Sequence, residues 1–123
     1  MAKRLLALIV CLALVFALLP TFAGAEGEHA HGSQTYTAYN ETTSLPTASG
    51  FYYLTADIQL PSTFNQYGQT YSGKTTTICL NGHTISRTGT GRIFNITGTS
   101  NLTICDCTGH GKITGGNMNG NGG

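Results

Sequence analysis

The stretch TTTICLNGHTISRTGTGRIFNITGTSNLTICDCTGHGKITGG, Thr75 to Gly116, decides the fold class. Its apolar runs are Thr76 to Leu80, Thr84-Ile85, Arg92 to Ile96, Leu102 to Cys105 and Lys112 to Thr114. Gly, Asn or Asp closes almost every run, and none is long enough for a helix. That is the pattern of short β-strands separated by tight bends. Asn81-Gly82 sits where the chain must leave a strand sharply, since Gly accepts positive φ freely and Asn tolerates it.

Working outward, Phe51 to Leu60 (FYYLTADIQL) is aromatic and β-favouring, and Pro61 ends it. Asn65 to Lys74 reads as a polar loop. Leu54, Ile78 and Leu102 recur at intervals of 24 residues, and each begins the main apolar run of its unit. A repeat of that length predicts an all-β, right-handed parallel β-helix of two to three coils over residues 51–116, with equivalent strands stacked in parallel. Alternation then turns Ile78 and Leu80 inward, above Leu102 and Ile104, and turns Cys79, Thr103 and Cys105 outward. The competing arrangement is a small sandwich of antiparallel hairpins, because Asn-Gly is also a strong hairpin signal.

The units LNGHTI (Leu80 to Ile85), LTICD (Leu102 to Asp106) and GKITGG (Gly111 to Gly116) resemble the strand-turn repeats of large secreted surface proteins of Gram-positive, clostridial-type bacteria. Those proteins carry pectin-lyase-like parallel β-helix repeats. The resemblance covers about half the chain, Phe51 to Gly116, and implies an exported, wall-associated protein with further domains downstream. It implies no activity.

The N-terminus carries a targeting pattern. Lys3 and Arg4 precede an apolar run from Leu5 to Leu19, Pro20 breaks it, and Ala23-Gly24-Ala25 supplies a small-residue cleavage site. Residues 1–25 therefore read as a signal peptide, with the mature chain starting at Glu26. The run falls short of the ~20 apolar residues that span a bilayer, so no transmembrane segment is expected after cleavage. A retained N-terminal anchor is the alternative. Residues 26–50 read as a polar leader, unstructured over EGEHAHGSQ (Glu26 to Gln34), with a strand near Thr35 to Tyr39 and turn chemistry at Ser44 to Gly50. Residues 117–123 read as a Gly/Asn-rich linker or a truncated next coil.

Without residues 1–25, four cations (Lys74, Arg87, Arg92, Lys112) face five acids (Glu26, Glu28, Glu41, Asp57, Asp106), a net charge of −1. No basic patch remains for nucleic acid. The balance of Gly, Thr, Asn and Ser suits an extracellular protein of short strands.

No catalytic, cofactor or metal residue emerges from this reading. Polysaccharide hydrolysis needs two facing carboxyl groups, and a calcium-dependent lyase needs several acidic ligands. Only Asp57 and Asp106 fall in the strand region. The mature cysteines are Cys79, Cys105 and Cys107, an odd number. Export permits a disulfide between Cys79 and Cys105, while small stacking side chains are the plainer reading. Zinc on these cysteines with His83 and His110 has no familiar spacing. His29-x-His31 with Glu28 looks like a loose metal site but sits in the leader, where polarity is the simpler explanation. Asn40, Asn95 and Asn101 meet the glycosylation pattern by chance.

The expected function is an exported, non-enzymatic adhesive or structural protein of a bacterial surface, with host or bacterial glycans or the cell wall as partners. Tyr52, Tyr67 and Tyr71 are candidate sugar-stacking residues. The alternative is the N-terminal cap of a carbohydrate-active enzyme, a lyase or glycoside hydrolase, with its site downstream.

Overall fold

Eleven short strands and no helix make up the described part of the chain, residues 29–118 of a computed structural model. Residues 1–28, which hold the expected signal peptide and Glu28, and the tail from Asn119 lie outside the described residues. The strands are β1 (Ala30–His31), β2 (Gln34–Thr35), β3 (Thr37–Tyr39), β4 (Gly50–Leu54), β5 (Ile58–Leu60) and β6 (Gln69–Ser72). They continue with β7 (Thr75–Cys79), β8 (Thr84–Arg87), β9 (Phe94–Thr97), β10 (Asn101–Cys105) and β11 (Lys112–Thr114).

These strands form separate small sheets. One has four strands in the order β10-β7-β4-β3, one has three in the order β11-β8-β5, and β6-β9 and β1-β2 are pairs. Every pairing is parallel except the β1–β2 hairpin. The right-handed parallel β-helix expected over 51–116 is therefore corrected: short, separate sheets stand where one continuous tube of rungs was predicted. Each strand is only two to five residues long, and from β4 onward the bends between consecutive strands place them in different sheets. Irregular segments around Pro61 to Gly68 and Thr88 to Ile93 lie between them. Among the described residues the sandwich of antiparallel hairpins is not found either.

The expected register is also corrected. Ile78 lies beside Ile104 and Tyr52, and Leu102 lies beside Thr76. Leu80 has left the strand, and its N–H donates to the Cys105 carbonyl at 2.7 Å. The segment Phe51 to Leu60 breaks into β4 and β5 at a bend through Thr55 to Asp57, and the supposed loop Asn65 to Lys74 contains β6.

Facing follows the alternation rule. Leu54, Ile58, Leu60, Ile78, Leu80, Ile85 and Ile93 point inward and form one core with Leu45. Tyr71 is fully buried there and donates its hydroxyl to the Pro46 carbonyl at 2.8 Å. Arg87 ends β8 on the inward side and is also buried. Its guanidinium donates to the carbonyls of Phe64 (2.8 Å), Asn65 (2.8 Å) and Arg92 (2.6 Å), so one cation satisfies three loop acceptors. It also lies over the Phe64 ring.

Candidate functional site

The outward face of the four-stranded sheet carries an aligned row in which Tyr53 pairs with Cys79 and Cys79 with Cys105. The leader covers this row. His29 to Tyr36 folds into the β1–β2 hairpin, with Gly32 at φ 62° in its tight turn and the Tyr36 N–H donating to the His29 carbonyl at 2.8 Å. The unstructured leader expected from the sequence is thus replaced, from His29 onward, by ordered chain.

Aromatic contacts seat the hairpin. The His29 ring stacks on Tyr53 with centroids 4.5 Å apart, and Tyr36 meets Phe51 edge-on at 5.5 Å. Cys79, outward on its strand, is consequently fully buried. Burial and the nearby Cys105 thiol raise the Tyr36 hydroxyl above its ordinary value.

Four donor atoms converge beneath the hairpin. His29 and His31 lie two residues apart on extended chain and so share a face, and their Nε2 atoms approach to 2.9 Å. Cys79 Sγ lies 3.6 Å from Cys107 Sγ, and Cys107 Sγ lies 3.7 Å from His29 Nε2. All four atoms fall within 4.8 Å of one another. β10 ends at Cys105, and the turn after it carries Cys107 round to Cys79. Asp106 shapes that turn by accepting from the N–H groups of Gly111 (2.9 Å) and Gly82 (2.7 Å). These bonds hold its carboxyl down to about 2.

The chemistry of the cluster is that of two thiols and two imidazoles. Burial lowers the His29 ring below its ordinary value, with His31 adding to the effect. Burial likewise raises the thiols of Cys79 and Cys107. A thiol and an imidazole side by side suggest a nucleophilic dyad, yet an activated cysteine needs a depressed pKa, and here both thiols move the opposite way. Sulfur and imidazole nitrogen without a carboxylate are instead the donors that suit zinc and other soft or borderline ions.

The remaining candidates disperse. Asp57 accepts from the Thr84 N–H at 2.9 Å and meets His83 Nδ1 at 3.2 Å. The Thr84 bond, followed by His83, holds its carboxyl below the ordinary value. Both strand-region acids thus organise turns. His110 is exposed in the turn after β10, and Cys105 is a free thiol like Cys79 and Cys107. Of the three tyrosines singled out for sugar stacking, Tyr71 is buried, Tyr52 is half-buried and Tyr67 is 54% exposed. An open cavity of about 410 Å³, lined by Arg92 to Ile96 with Gly115 and Gly116, contains no carboxylate, thiol or imidazole.

Sequence reasoning met every member of the convergent set but in two separate groups, weighing the cysteines with His83 and His110 and His29-x-His31 with Glu28, and joined neither to the other. The available signal was the His-x-His pair, which an extended strand presents on one face. Comparison with protein-family models, curated proteins and solved structures gives no match.

Proposed function

We propose that the chain is an exported, non-enzymatic module of a bacterial cell surface, adhesive or structural in role. The observation that carries this reading is the engagement of the strand-region carboxylates. Asp57 and Asp106 are each bound to backbone N–H groups of turns, so both carboxylates are engaged in holding the fold. Glycoside hydrolysis depends on a pair of carboxyl groups free to act on the scissile bond. The outward strand positions instead carry short polar side chains such as Gln59, Thr70, Thr75 and Thr103. Tyr67 offers an exposed ring for a sugar face.

Export is supported by the charged, apolar and small-residue segments of residues 1–25. Resemblance of the LNGHTI, LTICD and GKITGG units to clostridial-type surface proteins supports a wall-associated setting, with glycans as the partner class.

Expression of the full chain in a Gram-positive host tests the proposal. The expected result is a mature N-terminus at Glu26, release of its peptides by protease treatment of intact cells, and retention on a glycan array that weakens in Tyr67→Ala. Uncleaved protein confined to the cytosol would refute export. Depolymerisation of a polysaccharide would refute the non-enzymatic role.

A further inference from the structure

We infer that His29, His31, Cys79 and Cys107 form a tetrahedral Cys2His2 site for zinc, and that the ion fastens the hairpin of residues 29–36 to the four-stranded sheet. The inference stands on the geometry of these four residues and goes beyond the surface role proposed above.

The spacing of the donors fits the ion. With Zn–S near ~2.3 Å and Zn–N near ~2.0 Å, a tetrahedron has edges of about 3.8 Å between sulfurs, 3.5 Å between sulfur and nitrogen, and 3.3 Å between nitrogens. The corresponding separations are 3.6 Å for Cys79–Cys107, 3.7 Å for Cys107–His29 and 2.9 Å for His29–His31. The other three separations are within 4.8 Å, so the nitrogen pair has to open and the set to draw in slightly, a movement open to two histidines on a short hairpin outside the core sheets. The four donors are two sulfurs and two nitrogens, with no carboxylate joining them among the described residues, a set that disfavours calcium and magnesium.

Four protein donors complete the coordination and leave no position for water or substrate, which makes the site structural rather than catalytic. The role has a physical motive. β1 and β2 are two residues each, and a hairpin that short does not hold itself together in water. An ion bonded to both of its histidines and to Cys79 and Cys107 ties that segment to chain 78 residues further on. A neighbouring ring orients one donor: Tyr53 stacks on the His29 ring. Cys107 is exposed, so the ion has a path in.

The test uses the full mature chain, reduced and stripped with a chelator, then titrated with Zn²⁺ against a chromophoric competitor and separately with Co²⁺. One ion per chain is expected, with Co²⁺ giving the visible bands of tetrahedral coordination and thiolate-to-metal charge transfer. Cys79→Ser, Cys107→Ser, His29→Ala and His31→Ala should each weaken Zn²⁺ binding more than about 100-fold, beyond the usual loss of a supporting partner. Cys105→Ser, His83→Ala and His110→Ala should leave it unchanged. His31→Cys should keep the ion and increase the charge-transfer band, a response that does not depend on a ligand-deleted variant folding. Zinc should also protect Cys79 and Cys107, but not Cys105, from alkylation. Absence of a tetrahedral Co²⁺ spectrum from the wild-type chain, or loss of binding in Cys105→Ser equal to that in Cys79→Ser, would overturn the inference. The close approach would then be a hydrogen-bonded cluster of thiols and imidazoles.

Discussion

Ile58, Ile85 and Ile113 stand side by side in one ladder of the β11-β8-β5 sheet, with the same side chain at three successive positions. Their surroundings differ. Ile58 and Ile85 are 0% exposed, while Ile113 on the edge strand is 43% exposed. Truncation to alanine should therefore separate them sharply. Ile85→Ala removes about three methylene equivalents at ~0.8 kcal/mol each and leaves an enclosed void, for a loss of about 3 to 4 kcal/mol. Ile113→Ala gives up roughly half of that transfer energy and encloses nothing, for a loss of about 1 kcal/mol. In a domain of this size each kcal/mol moves Tm by about 4 to 8 °C, so the two variants should differ by about 10 to 20 °C. Thermal unfolding followed by circular dichroism, with chelator present throughout, measures the gap. Equal losses at Ile85 and Ile113 would refute the reasoning, because they would mean that the β11 edge is covered as completely as β8.

Arg87→Met should destabilise by about 2 to 4 kcal/mol, since it strips three loop carbonyls of a charged donor; chemical denaturation reads this directly. Gly91→Ala should cost at least about 1 kcal/mol and should be relieved in the Arg87→Met background, because Gly91 holds φ 131° and a Cβ there meets the Arg87 guanidinium. Asp57 has its carboxyl held below 3.8 in the fold, so its contribution is complete above that value and lost as the pH falls through the lower folded one. Asp57→Asn should thus flatten the acid limb of Tm against pH below 3.8, and an unchanged limb would count against the Thr84 bond. Zinc at a thousand times its Kd should raise unfolding stability by about 4 kcal/mol, and calorimetry with Cys107→Ser should show no such rise.

The strands were readable because alternation is a local property. Ile78, Ile85 and Ile58 are inward and Thr103 is outward as the residue pattern requires. Register was not readable in the same way. Leu54, Ile78 and Leu102 suggested an interval of 24, whereas the actual neighbour of Ile78 is Ile104 on one side and Tyr52 on the other. A slip of two residues keeps every side chain on its proper face, so period-two patterning cannot distinguish the two registers. The turns make that choice. Asn81, at φ 50°, donates to the Leu54 carbonyl, and Asp106 gathers Gly82 and Gly111, fixing where each strand begins.

Sequence alone determined that this chain is built from short strands with bends at Gly, Asn and Asp, because helix and strand periodicities differ and neither long apolar runs nor helical spacing occurs after Leu19. It also identified the chemically capable side chains, since only a few thiols, imidazoles and carboxylates are present. Tertiary structure alone decided that the strands close into separate small sheets, and that His29 and His31 meet Cys79 and Cys107. Those contacts join positions up to 78 residues apart, and they depend on how the turns set register and on the hairpin lying over the outer sheet face, neither of which leaves a periodic mark in the chain.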